Sequence, residues 1–132
     1  MKKETINKTE EEWKQILSKD EFLVLRKKAT EPPFSGLYLN NKETGIYLCA
    51  ACENKLFSSK TKFNSGSGWP SFYDIIDNDS VSLEEDYSIG MKRTEVVCRR
   101  CGGHLGHVFD DGPNPTGKRY CINSISLKFR KK

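Results

Sequence analysis

The chain has 132 residues, the size of one domain, so a second unit with its own core is not expected. Hydrophobic residues make up 36% and charged residues 30%, with 10 glycines and 5 prolines, which excludes a disordered, collagen-like or coiled-coil chain. The net charge of +4 owes much to Lys128, Arg130, Lys131 and Lys132, a basic tail that reads as a solvated end or, alternatively, as a weak nucleic-acid contact.

Met1-Lys2-Lys3-Glu4 leads into charged sequence, and no run approaches the roughly 18 apolar residues of a membrane span, so a cytoplasmic chain is expected. Helical signals are confined to residues 7–30. Thr9 with Glu12 forms a capping box ahead of Trp13, Ile16 and Leu17, which share one face. Ser18 with Glu21 forms a second box ahead of Phe22 and Leu25, and Lys27 and Lys28 suit the negative end of a helix dipole. Pro32-Pro33 ends helical structure. Beyond it, glycine and asparagine punctuate short extended runs, predicting strands at Gly45–Cys49, Val81–Tyr87, Thr94–Cys98, Gly106–Phe109 and Arg119–Phe129. The predicted fold is mainly β: a small twisted antiparallel sheet or barrel-like domain over residues 45–130, led by two short helices.

In the last run Arg119, Cys121, Asn123, Ile125, Leu127 and Phe129 share one parity, so a cation, a thiol and an amide project together from the edge of the core. Ser124, Ser126, Lys128 and Arg130 take the opposite parity and are expected to face solvent.

The five cysteines divide as four plus one. Cys49-x-x-Cys52 and Cys98-x-x-Cys101 are two knuckles able to supply four thiolates to one tetrahedral zinc ion, leaving Cys121 alone. Competing readings are a dithiol redox pair, and a Cys98, Cys101, His104, His107 site that leaves Cys49 and Cys52 free. Cys121 could also be a small buried hydrophobe. Both histidines lie in Cys101–Gly112, beside four glycines and the carboxylates Asp110 and Asp111. Upstream, glycine-rich flanks around Trp69 suggest a loop that presents an aromatic face to an apolar or soft ligand.

Six motifs in one order carry a resemblance: Thr30-Glu31-Pro32-Pro33-Phe34-Ser35-Gly36, Cys49-x-x-Cys52, Ser65-Gly66-x-Gly68-Trp69-Pro70-Ser71-Phe72, Cys98-x-x-Cys101, His104-Leu105-Gly106-His107-Val108-Phe109-x-Asp111-Gly112 and Arg119-Tyr120-Cys121-Ile122-Asn123-Ser124. Over Trp13 to Phe129 the chain resembles the methionine-R-sulfoxide reductases of the B type, enzymes that reverse methionine oxidation.

The resemblance implies a structural zinc on Cys49, Cys52, Cys98 and Cys101 and a catalytic Cys121 that attacks the sulfoxide sulfur. It makes His104 and His107 the acids for the departing oxygen, with Arg119 and the histidines favouring the thiolate. Asp111 is expected to orient a histidine or arginine and Asn123 to hydrogen-bond in the pocket, while Asp110 replaces a proline common in the family and is expected to be solvated. Trp69, with Phe109, is expected to hold the methionine methyl group. Ser67 stands where many relatives carry a resolving cysteine, so thioredoxin or another thiol is the expected reductant. The implied partners are oxidised proteins or peptides, with no nucleic acid and no membrane, and the chain is expected to be a monomer.

Overall fold

The computed structural model describes residues 5–132; Met1–Glu4, on which the expectation of a charged, leaderless start rests, lie outside the described residues. Two short helices, α1 (Glu10–Ile16) and α2 (Lys19–Lys27), begin as predicted. Thr9 Oγ1 accepts from the Glu12 amide at 3.2 Å while Glu12 accepts from the Thr9 amide at 2.8 Å, and Ser18 with Glu21 repeats the exchange at 3.2 and 2.9 Å. Each box satisfies two orphan amides and contributes about 1 kcal/mol. Trp13, Leu17, Phe22 and Leu25 are buried, whereas Ile16, predicted on the same face, is exposed. Helix α2 ends on Lys28 in the left-handed region, φ 62°.

The rest is mainly β, with nine strands among the described residues: β1 (Gly45–Cys49), β2 (Lys55–Ser58), β3 (Lys62–Phe63), β4 (Ser71–Phe72), β5 (Val81–Asp86), β6 (Arg93–Cys98), β7 (His104–Phe109), β8 (Arg119–Ile122) and β9 (Leu127–Lys131). They form two antiparallel sheets, ordered β2-β1-β9 and β3-β4-β8-β7-β6-β5. Phe57 of the first sheet stacks on Phe72 of the second, centroids 4.3 Å apart, and Tyr47 meets Phe72 edge-on at 5.1 Å. These aromatic contacts, with Trp13, Leu25, Leu56, Leu105 and Ile122, make one core that both sheets and the helices share.

The single strand predicted for Arg119–Phe129 is two strands in different sheets. β8 ends at Ile122, Ser124–Ser126 form a 3-10 turn, and β9 crosses to pair with β1. The serines expected to face solvent, Ser124 and Ser126, are buried, while Lys128 and Arg130 are exposed as predicted. The cause is side-chain bonding to backbone groups distant in sequence, which competes with the ladder. Asn123 Oδ1 accepts from the Glu31 amide at 3.0 Å, Ser124 Oγ accepts from the Tyr38 amide at 3.2 Å, and Ser126 Oγ donates to the His104 carbonyl at 2.9 Å. Strands β2, β3 and β4 were not predicted; the last two have two residues each, too short for an alternation to show.

Gly106 of β7 lies tight against β8: a Cβ there would sit 2.0 Å from the Cys121 carbonyl oxygen. Only glycine fits without prising the strands apart. Gly106→Ala is expected to cost about 3 kcal/mol, read as a lower urea midpoint at unchanged slope; a loss below about 0.5 kcal/mol would refute the close approach.

Candidate active site and cysteine cluster

Four of the five cysteines come together. The sulfurs of Cys49, Cys52, Cys98 and Cys101 all lie within 4.8 Å of one another, with Cys49–Cys101 at 3.7 Å and Cys52–Cys98 at 3.6 Å. A tetrahedral zinc ion with Zn–S bonds near 2.3 Å requires sulfurs about 3.8 Å apart, so the set fits a closed four-thiolate site without rearrangement. The knuckles are built alike. The Glu53 amide donates to the Cys49 carbonyl and the Gly102 amide to the Cys98 carbonyl, both at 2.8 Å, and both donors have positive φ, 63° and 75°. Asn54 Nδ2 reaches Cys98 Sγ at 3.6 Å, and hydrogen bonds from the neighbouring thiols drive the Cys98 thiol far down. The alternative set of Cys98, Cys101, His104 and His107 does not form, because both imidazoles are held by carboxylates.

Those carboxylates were missed in the sequence. His104 Nδ1 lies 2.7 Å from Glu95 Oε2, and Glu95 Oε1 lies 3.0 Å from Lys28 Nζ, delivered by the left-handed end of α2. His107 Nε2 lies 2.7 Å from Asp86 Oδ2, which also takes Arg93 at 3.4 Å. Glu95 had a readable signal: it is a lone acid among the apolar residues of β6 and is only 1% exposed, where a carboxylate requires partners. Burial pushes His104 down, against the upward pull of Glu95.

Sequence spacing gives no reason for the histidines to meet, since positions three apart on a regular strand face opposite ways. A bulge decides otherwise. Glu95 pairs with His107 and Val97 with His104, so one extra residue of β7 is absorbed between them and both rings share a face, centroids 5.5 Å apart. Cys121 is the cross-strand partner of His107, Arg119 that of Phe109, and Ser71 pairs with Cys121 from the other side. Tyr120 and Ile122 turn into the core, leaving Arg119 and Cys121 half-buried on the site face.

Above that face is a cavity of about 330 Å³ lined by Thr30, Ser67, Trp69, Arg93, Phe109, Arg119, Cys121 and Asn123. Trp69 is the half-buried loop aromatic that was expected, steered by its Nε1, which donates to the Glu31 carbonyl at 3.0 Å. Arg119 is clamped by Asp111 through two bonds of 2.8 and 3.1 Å, and its guanidinium lies 4.4 Å from the centre of the Phe109 ring. Asp111 therefore orients the arginine rather than a histidine, and exposed Asp110 pairs with Lys118. Asn123 spends both ends of its amide on the framework, accepting from Glu31 and donating to the Leu105 carbonyl at 3.1 Å. Ser67 Oγ lies 3.6 Å from Cys121 Sγ. The histidines lie beside this cavity, not among the residues that line it.

Burial pushes the Cys121 thiol above its ordinary value, outweighing the Arg119 charge. Arg119 pulls the thiol down, in the direction expected of it, but burial of the half-enclosed sulfur is the larger effect. Chemically, the arrangement presents one soft nucleophile against two aromatic faces, with two carboxylate-held imidazoles alongside.

Comparison with known proteins agrees with this geometry. The SelR domain family model matches residues 17–131. A "Peptide methionine sulfoxide reductase MsrB" of Methanosarcina mazei is 63% identical over 131 residues, covering 99% of this chain and 94% of that protein. One of Methanosarcina barkeri is 62% identical over 130 residues, 98% of this chain and 92% of its own. The Leptospira interrogans protein of the same name is 56% identical over 126 residues, 96% of each chain. With the family model spanning both knuckles, the Trp69 loop and the Cys121 strand, the chain belongs to the SelR domain family.

Proposed function

We propose that the chain is a peptide-methionine (R)-S-oxide reductase whose reacting atom is Cys121 Sγ. The observation that carries this reading is the division of thiols: four gather in one cluster, and the fifth faces an aromatic-walled cavity. Family membership and the named activity of relatives more than 60% identical support the same class of enzyme, a methionine sulfoxide reductase.

The substrate methyl group packs on the Trp69 ring, as polarizable groups do on aromatic faces, and the sulfoxide oxygen points toward the imidazole side. Only one configuration at sulfur satisfies both contacts while turning the sulfur to Cys121, which is the origin of R selectivity. Cys121 gives up its proton and attacks; its sulfur is oxidised by two electrons and the sulfoxide sulfur is reduced by two. The sulfoxide oxygen takes up protons and leaves as water, and a water then adds to Cys121 Sγ and breaks its new bond to the substrate sulfur, so the products are methionine and a Cys121 sulfenic acid. His107, opposite Cys121 on the neighbouring strand, and His104 serve as the proton source, an effect of typically 10²–10⁴-fold in such chemistry. Arg119 and Asn123 shape the pocket.

Regeneration consumes two equivalents of external thiol, such as thioredoxin, which leave as a disulfide with one water released. Ser67, the residue nearest the sulfur on the loop, has no thiol to offer. The four-cysteine cluster holds a structural zinc ion, and closed four-thiolate coordination leaves no position for substrate.

Cys121→Ser is expected to lower reduction of the R epimer by at least about 10³-fold, with the S epimer untouched by either protein; an epimer-resolved assay checks both. Ser67→Cys is expected to form a disulfide with Cys121 after one turnover without reductant, read by mass spectrometry as the loss of two hydrogens; a persistent sulfenic acid would contradict the proximity. A strong chelator is expected to remove zinc and unfold the protein together, followed by metal content and circular dichroism. Release of the ion with the fold intact would show that the cluster is not structural.

A further inference from the structure

Three serines form an unbroken line of hydrogen bonds behind Cys121. Ser67 Oγ lies 3.6 Å from Cys121 Sγ and 2.8 Å from Ser65 Oγ; Ser65 Oγ lies 2.7 Å from Ser71 Oγ; and Ser71 Oγ donates to the Trp69 carbonyl at 3.1 Å. Ser71 is 1% exposed, and it is the strand partner of Cys121.

The line has a direction, because a carbonyl can only accept. Ser71 spends its single proton on Trp69, so its bond to Ser65 is one it accepts. Ser65 must then donate to Ser71, leaving two lone pairs. One takes the Ser67 amide at 3.3 Å and the other the Ser67 hydroxyl proton. Every site on Ser65 is then filled. Ser67 has no proton left for the sulfur and offers a lone pair, so Cys121 S–H is the donor. A Ser67 hydroxyl turned the other way would favour the anion, but it would give up its bond to Ser65. Ser65 cannot replace that bond with one of its own, because its proton is held by Ser71.

We propose that Ser65 and Ser71 are positioning residues that hold the Ser67 lone pair toward Cys121, so that stabilising the ionised sulfur through Ser67 costs the Ser67–Ser65 hydrogen bond. The charged and titratable groups that face the sulfur are Arg119 on its own strand, Asp111 through Arg119, His107 across on β7 and Arg93 from β6. Ser65 and Ser71 bond instead to each other, to Ser67 and to the Trp69 carbonyl. The line therefore acts on proton affinity separately from those charges. It keeps the free enzyme's sulfur as a thiol, the form that oxidants attack slowly, until a substrate occupies the pocket. The inference rests on Cys121 being the reacting sulfur.

The test is the pH dependence of Cys121 alkylation by iodoacetamide, resolved by peptide mass spectrometry on the full-length, metal-loaded protein. This readout needs no turnover, so its failure is distinct from failure of Cys121→Ser to abolish reduction. In Ser65→Ala the Ser67 hydroxyl is free to donate to the anion, and the alkylation midpoint is expected to fall by roughly half to one pH unit, the worth of one hydrogen bond. Ser71→Ala is expected to move it the same way; if that buried variant does not fold, Ser65→Ala alone decides. Adding Ser67→Ala is expected to abolish the Ser65→Ala shift, because both residues act through one hydroxyl. A midpoint that Ser65→Ala leaves unmoved or raises overturns the proposal, as does a shift that persists without Ser67. A lower denaturation midpoint with an unchanged pH profile, the result of a merely structural line, overturns it as well.

Discussion

The pairing of β7 with β8 around Gly106 is the constraint on which the site depends. Antiparallel partners project from the same face with Cβ atoms about 5 Å apart, so register alone brings His107 beside Cys121 and Phe109 beside Arg119. The absence of a side chain at Gly106 permits the close approach, and the bulge against β6 then turns His104 onto the same face. A slip of one residue would send every one of these groups into the core and bring Tyr120 and Ile122 out.

Placing so many ionisable groups in a small domain requires that each be answered. Lys28, Glu95 and His104 form one line, and Arg93, Asp86 and His107 another, so each imidazole is oriented by a carboxylate that a cation answers in turn. The first line also ties α2 to the sheet: the left-handed residue that ends the helix supplies the ammonium group. A buried ion pair of this kind contributes little net stability, but removing one member leaves an uncompensated charge, so the pairs specify geometry more than they strengthen the fold. Arg119 is managed differently, between an exposed carboxylate and an aromatic face, which steers its planar fork across the pocket wall.

The thiols are separated by the same topology. Cys49 ends β1 and Cys98 ends β6, one in each sheet, so the four-sulfur cluster staples the sheets at one end while the aromatic contacts of Phe57 and Phe72 join them elsewhere. Cys121 leaves the core on the opposite face of its strand from Tyr120 and Ile122. A sulfur half-enclosed by Ser67 and the pocket walls is a different chemical object from four crowded ones, although all five begin as the same side chain.

Much of this was legible in the linear order of residues, because the physics involved is local. Capping boxes act within one helical turn, so Thr9 and Ser18 announced both helices; the knuckle spacing announced a thiolate cluster; and glycine around Trp69 announced a loop. The motif order carried the family. What tertiary structure alone decided is pairing across distance. No periodicity says that Glu95 and Asp86 answer the two imidazoles, that Asp111 takes the arginine, or that three serines line up behind one sulfur. The run after Arg119 misled for the same reason: alternation is read along one strand, and it cannot register that Asn123, Ser124 and Ser126 find partners in Glu31, Tyr38 and His104, residues 22 or more positions away, whose bonds break the strand in two.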